Sequence, residues 1–230
     1  MVEQSIGVTG QMEDLSLAQS LFGNNQNFDS RPNANKVFML VKDSTRIIEL
    51  DFINRQTRYQ RGKFSTNFPH NFQSVNGPSG QLYLVGGGDY NKDEESLYNI
   101  HEVQVNNGFN FVKRDSMKHP RHGHSAIWFG EKFIVVTGSR KEKNSSEVKC
   151  EMYNADIDIW WELPDLNLGR HYHSSCAFWD QKIFIFCGIS NKTKKYVNSI
   201  EMYDHTQKKK WELIEPPKSV FSERQGCGVI

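Results

Sequence analysis

Apolar residues gather in short runs along the chain, each bounded by Gly, Asn, Asp or Pro. Val37–Val41, Arg46–Phe52, Thr57–Gln60, Gln81–Val85, Tyr98–Val105 and Asn110–Lys113 carry the Val, Ile, Leu, Phe and Tyr content that suits a pleated, half-buried surface, and each is predicted to be a β-strand. Polar stretches at Asp89–Ser96, Arg140–Ser146 and Ser190–Tyr196 follow three of the apolar runs as long loops. Strand length and turn spacing leave no place for a long helix. Residues 1–35 are rich in Gln, Asn, Ser and Asp and read as a tail or linker with one short amphipathic stretch at Asp14–Phe22.

The pattern repeats. Pro120-Arg121-His122-Gly123-His124-Ser125 is matched by Gly169-Arg170-His171-Tyr172-His173-Ser174, 49 positions later. Lys132-Phe133-Ile134-Val135-Val136-Thr137-Gly138 is matched by Lys182-Ile183-Phe184-Ile185-Phe186-Cys187-Gly188, 50 positions on, and Cys150-Glu151-Met152-Tyr153-Asn154 by Ile200-Glu201-Met202-Tyr203-Asp204, also 50 on. Trp160 and Trp211 close the two units. A unit of this length, read as four short strands, is the mark of a propeller blade. The units run over about 36–71, 72–120, 121–169 and 170–223, and Arg224-Gln225-Gly226-Cys227-Gly228 opens another. Only a closed ring removes sheet edges, so four units and the start of a fifth are expected to be an incomplete propeller that can self-associate through open blade edges.

These residues resemble the kelch repeat of the galactose oxidase/kelch superfamily. Arg121-His122-Gly123-His124-Ser125, Leu82-Tyr83-Leu84-Val85-Gly86-Gly87 and Glu201-Met202-Tyr203-Asp204 each fit one of its elements. The likeness is good from Phe72 to Arg224 and poor over 36–71. Thr137 and Cys187 stand where the first Gly of the doublet is usual, and Phe111 where Trp is usual. The resemblance implies an all-β, kelch-type β-propeller with about four blades in view.

Composition narrows the function. A net charge of +1 singles out no charged partner, and the apolar fraction is low at 37% while aromatics reach 12%. Met1–Phe22 has no basic end followed by an apolar core, and no apolar run approaches a membrane span. Cys150, Cys176, Cys187 and Cys227 lack Cys-x-x-Cys spacing and are expected to be free thiols in a reducing, cytoplasmic setting. Lys192-Thr193-Lys194-Lys195 and Lys208-Lys209-Lys210 fall in single loops and read as solvated turns, not a nucleic-acid surface.

Among chemical candidates, His122-x-His124 and His171-x-His173 each put two imidazoles on one strand face, but no further ligand recurs beside them, so no metal and no cofactor is expected. His124 and His173 hold the repeat's ordinary His position, and His122 and His171 are the unusual pair able to face a ligand. No nucleophile with a paired base stands out. The resemblance places Arg121, Arg170 and Arg224 near the mouth of the central channel, where guanidinium forks can hold carboxylates. It places Ser139-Arg140 and Ser190-Asn191 toward the same end. The competing role for the arginines is structural, as blade-to-blade contacts. The expected function is a protein-interaction module that binds a protein ligand of acidic character with its propeller-face loops, as a scaffold or as the substrate-recognition part of a ubiquitin ligase. The alternative from the same resemblance is a kelch-like enzyme, a sugar oxidase, mutarotase or metal-assisted lyase.

Overall fold

The computed structural model describes residues 36–41, 44–62, 68–89, 95–97, 99–105, 109–140, 147–207 and 209–215. Among these residues every regular element is a strand. The first sheet holds three antiparallel strands, β1 (Lys36–Leu40), β2 (Arg46–Asp51) and β3 (Gln56–Arg61). The second holds four, β4 (Gln73–Asn76), β5 (Leu82–Val85), β8 (Ile100–Val105) and β9 (Phe109–Lys113), with a two-stranded ribbon of β6 (Gly88–Asp89) and β7 (Glu95–Ser96) in its long loop. The third sheet is β10 (Ser125–Phe129), β11 (Phe133–Thr137), β12 (Cys150–Asn154) and β13 (Ile159–Leu163). The fourth is β15 (Ser174–Phe178), β16 (Lys182–Phe186), β18 (Ile200–Asp204) and β19 (Glu212–Ile214), beside a ribbon of β14 (Arg170–His171) and β17 (Ile189–Ser190). Each sheet is ordered as the chain runs. That is the layout of β-propeller blades. Residues 1–35, the expected tail, lie outside the described residues.

Alternating side chains send each strand's apolar residues to both neighbouring blades. Ile47, Phe68, Leu84, Val103 and Phe109 fill the seam between the first and second blades. Tyr83, Val85, Ile100, Ile134, Val136, Tyr153 and Trp160 fill the next, and Val135, Met152, Ile183, Ile185, Tyr203 and Trp211 the third. Trp160 donates its indole N–H to Asp115 O at 2.9 Å, and Trp211 donates to Pro164 O at 2.8 Å, both in the preceding blade. Phe111 is paired with Val103 where Trp160 is paired with Tyr153, so it holds the Trp place as expected.

The strands correct the alignment of the Gly anchors. Ser125 pairs with Thr137 and Ser174 with Phe186. Thr137 therefore matches Phe186, and Gly138 matches Cys187. Gly86, Gly138 and Cys187 share the left-handed backbone, with φ of 60°, 61° and 56°. So the third blade keeps its first anchor Gly and replaces the second with Ser139, whereas the fourth replaces the first with Cys187. The physical reason is the strand period. A one-residue slip would turn Ile134 and Ile183 to opposite faces, yet both are wholly buried against the preceding blade.

Cys187 also corrects the expectation for the thiols. Cys150 and Cys176 are free, but Cys187 is disulfide-bonded. The argument for a reducing setting loses its support with it.

Candidate functional site

The connections that enter β10 and β15 bring the repeated Arg and His residues to the blade seams. Arg121 and Arg170 have no solvent-exposed surface. Arg121 Nη2 donates to Glu151 Oε2 at 2.8 Å, and its Nη1 donates to the carbonyls of Gly138 (2.9 Å) and Lys149 (2.6 Å). Arg170 repeats this with Glu201 at 2.8 Å and the carbonyls of Cys187 (3.0 Å) and Ser199 (3.1 Å). Each glutamate then accepts backbone N–H groups from the preceding connection. Glu151 accepts from Lys118 (2.8 Å) and His119 (3.3 Å), and Glu201 from Asn167 (2.7 Å) and Leu168 (3.2 Å). A buried charge is tolerated when it is paired and its remaining sites are bonded, and both conditions hold here. These arginines tie the loops of their own blade to the strand that follows. Their expected contact with a ligand is corrected by this burial, and the competing structural role accounts for them. Arg224 lies outside the described residues.

The second blade has Pro69 in place of the arginine and His101 in place of the glutamate, by the pairing of Val85 with Ile100 and of Thr137 with Cys150. Both members of the pair are lost together, which avoids a lone buried charge. Burial holds the His101 imidazole neutral, with its pKa lowered to about 4.

His122 and His171 are also buried. Pairing of Gln73 with Val85 makes His70 their equivalent in the second blade. The three histidines each precede a left-handed residue, Asn71, Gly123 and Tyr172, with φ of 50°, 61° and 52°. These turns are linked in a row: Gly123 N donates to Asn71 O at 3.4 Å, Tyr172 N donates to Gly123 O at 2.7 Å, and Asn71 Nδ2 donates to Tyr172 OH at 3.2 Å. His70 and His122 have ring centroids 5.8 Å apart. Sequence comparison misses His70 because Pro69 and Phe72 replace the flanking Arg and His; the strand register is the signal that finds it. His171 Nδ1–H donates to Asn191 Oδ1 at 2.9 Å, and Asn191 Nδ2 donates to Ser139 O at 2.8 Å. Burial lowers the His171 pKa, and the charges of Arg140 and Lys194 add to the effect.

The expected site residues therefore divide. His122, His171, Ser139 and Asn191 are buried and set the shape of the loop roots. Ser190 is half-buried and accepts Thr193 N–H at 3.1 Å. Arg140 is exposed, and its backbone N–H is anchored to His122 O at 3.0 Å. Tyr172 and residues 192–196, which include Lys192, Lys194, Lys195 and Tyr196, are exposed as well. The opposing charge in the described part of these loops is Glu147, which packs on Gly169. The described residues contain no group of three or more His, Cys, Asp or Glu placed to hold a metal ion. No helix among them is long and apolar enough to cross a membrane.

The kelch motif model matches residues 170–218, the fourth blade with its buried Arg–Glu pair. The match covers one repeat of the chain and is to the kelch motif. It is similar to a RING finger domain and kelch repeat-containing protein of Dictyostelium discoideum, 28% identical over 61% of the chain and 14% of that protein. A Rho GTPase-activating protein, gacHH, of the same organism is 26% identical over 56% of the chain and 9% of its own length. Kelch-like protein 36 of Bos taurus is 25% identical over 60% of the chain and 23% of that protein. The chain thus spans less than a quarter of each of these relatives. The solved structure of YjhT shares the fold, with a TM-score of 0.57 and 14% identity over 74% of this chain and 52% of that one.

Proposed function

We propose that the chain is a protein-interaction module that holds an acidic segment of a protein partner on the loop face of its third and fourth blades. The observation that carries this is the division of the repeated polar residues. The buried Arg–Glu pairs and the His171–Asn191–Ser139 chain hold the loop roots, and Arg140 and Lys194 stand outside them in electrostatic reach of one histidine. Cationic heads on anchored backbone are suited to carboxylates, and Tyr172 and Tyr196 add amphipathic contact area beside them. The names of the relatives, one joining kelch repeats to a RING finger domain, support a recognition role within a larger protein, as a scaffold or as the substrate-recognition part of a ubiquitin ligase.

The test is the binding of a fluorescent peptide rich in Glu, Asp and Tyr, set against its Gln/Asn counterpart, at low and high salt. Preference for the acidic peptide that weakens with salt is expected. Equal binding of the two peptides, or none, would reject the proposal.

A further inference from the structure

Two large, exposed side chains of the fourth blade stand on left-handed backbone. Tyr172 has φ of 52° and is 49% exposed, and Lys194 has φ of 60° and is exposed. Left-handed backbone suits glycine and, less well, asparagine, so a bulky residue is held there at a cost. The places equivalent to Tyr172 in the two preceding blades follow that rule, with Asn71 at φ of 50° and Gly123 at φ of 61°. Strain of this kind persists where the surroundings enforce it, and it gathers at sites of function.

The residues that enforce it at Tyr172 come from two other blades. Its backbone N–H donates to Gly123 O at 2.7 Å, and its hydroxyl accepts the Asn71 Nδ2–H at 3.2 Å. Its ring lies on Gly123, where an added Cβ would meet Tyr172 Cε1 at 2.8 Å. Gly123 therefore does more than turn the chain: it leaves the room that the ring fills. The His171 ring stands edge-on to the Tyr172 ring at 4.9 Å between centroids. The tyrosine is thus fixed by its neighbours, and about half of it still meets solvent.

Lys194 closes a turn that is bonded across its base. Lys194 N–H donates to Ser190 O at 2.9 Å, and Ser190 N–H donates to Lys195 O at 2.9 Å. Thr193 N–H adds a bond to Ser190 Oγ at 3.1 Å. Asn191 at the root of the turn is bonded to His171 Nδ1 at 2.9 Å. His171 therefore contacts both the Tyr172 ring and the root of the Lys194 turn. A ring with little freedom left to lose is a low-entropy contact surface, and aromatic pairs gain beyond the area they bury. A lysine head beside it is a point charge for an anion.

We propose, on the reading of this loop face as a site for an acidic segment, that Tyr172 and Lys194 determine its specificity and select a partner segment in which an aromatic residue stands close to a carboxylate. Tyr172 takes the aromatic ring and Lys194 takes the carboxylate. Glycine at either position eases the backbone and removes the contact.

Three fluorescent peptides, titrated against the full chain, separate the two contacts. One is acidic and carries Tyr, the second has Ala in place of Tyr, and the third keeps Tyr but has Gln and Asn in place of Glu and Asp. The parent is expected to bind the first about fivefold more tightly than the second. Tyr172→Gly is expected to bind these two equally. Lys194→Gly is expected to narrow the gap between the first and the third. Neither variant is expected to melt below the parent, because relief of the left-handed strain offsets the lost contact. Four results overturn the specificity assignment and leave the acidic-segment reading standing: no aromatic preference in the parent, an aromatic preference that survives Tyr172→Gly, an acid preference unchanged in Lys194→Gly, or a lower melting temperature in either variant. A parent with no preference for acidic peptides rejects both.

Discussion

Arg170 Nη2 and Glu201 Oε1 are 2.8 Å apart with neither side chain exposed, and 49 or 50 positions earlier Arg121 and Glu151 make the same pair at the same distance. The repeat of the sequence is thus a repeat of one buried bond network, in which each arginine gathers two carbonyls and each glutamate gathers the N–H groups of the incoming connection. Burial lowers the Arg170 pKa, and the Glu201 charge opposes that shift.

Removal of one partner strands the other. Arg170→Met or Glu201→Met is expected to destabilise the chain by about 3–5 kcal/mol. The Arg170→Met/Glu201→Met double variant is expected to cost less than the two single changes added together, as the joint replacement by Pro69 and His101 in the second blade foreshadows. Urea unfolding of the four proteins measures the coupling. Additive costs would show that the pair is not a unit.

Acid is expected to loosen the seams before it protonates the carboxylates. Burial lowers the pKa of His173 to about 3 and that of His124 well below its ordinary value, with nearby Arg and His charges adding to both. An unfolded histidine titrates at about 6.5. The unfolded chain therefore binds more protons between that value and the folded pKa, so stability is full above about pH 6.5 and falls as the pH drops toward 3. Urea midpoints at stepped pH check the direction, and His173→Gln is expected to flatten the slope. A midpoint insensitive to pH over this window would contradict the burial of these imidazoles as neutral groups.

Gly138 is expected to tolerate no side chain. Its φ of 61° alone costs an alanine about 1–2 kcal/mol, and the added Cβ would press on Arg170 O at 2.5 Å. Gly80 has φ of 84° but nothing within 4 Å of an added Cβ. Thermal unfolding of Gly138→Ala and Gly80→Ala compares strain plus collision with strain alone, and the first is expected to melt lower.

Trp160→Phe is expected to lose the bond to Asp115 O and to cost about 1 kcal/mol, because Phe111 already fills the same place in the second blade. Trp160→Ala opens a cavity in the seam and is expected to cost about 3–5 kcal/mol. Equal losses would mean that the indole N–H, not the ring, holds the seam.

The strands and the repeat were legible because period-2 apolar runs and turn residues mark each blade directly. The Trp places were legible for the same reason. Which anchor residue Cys187 replaces was not, since Thr137-Gly138 and Cys187-Gly188 look alike in sequence while strand pairing shifts them by one. The glutamates that neutralise Arg121 and Arg170 carried a signal that sequence reading passed over: Glu151 and Glu201 recur at the same period as the arginines. Burial could not be read from residue type, because an arginine at a channel mouth and one locked in a seam have the same neighbours along the chain.

The most direct test of the account compares Arg140→Glu with Arg170→Ala in paired assays of acidic-peptide affinity and melting temperature. Arg140→Glu is expected to lose the acidic peptide and melt as the parent does, while Arg170→Ala is expected to melt markedly lower. An Arg140→Glu chain that binds the acidic peptide as tightly as the parent would contradict the assignment of that loop face to ligand binding.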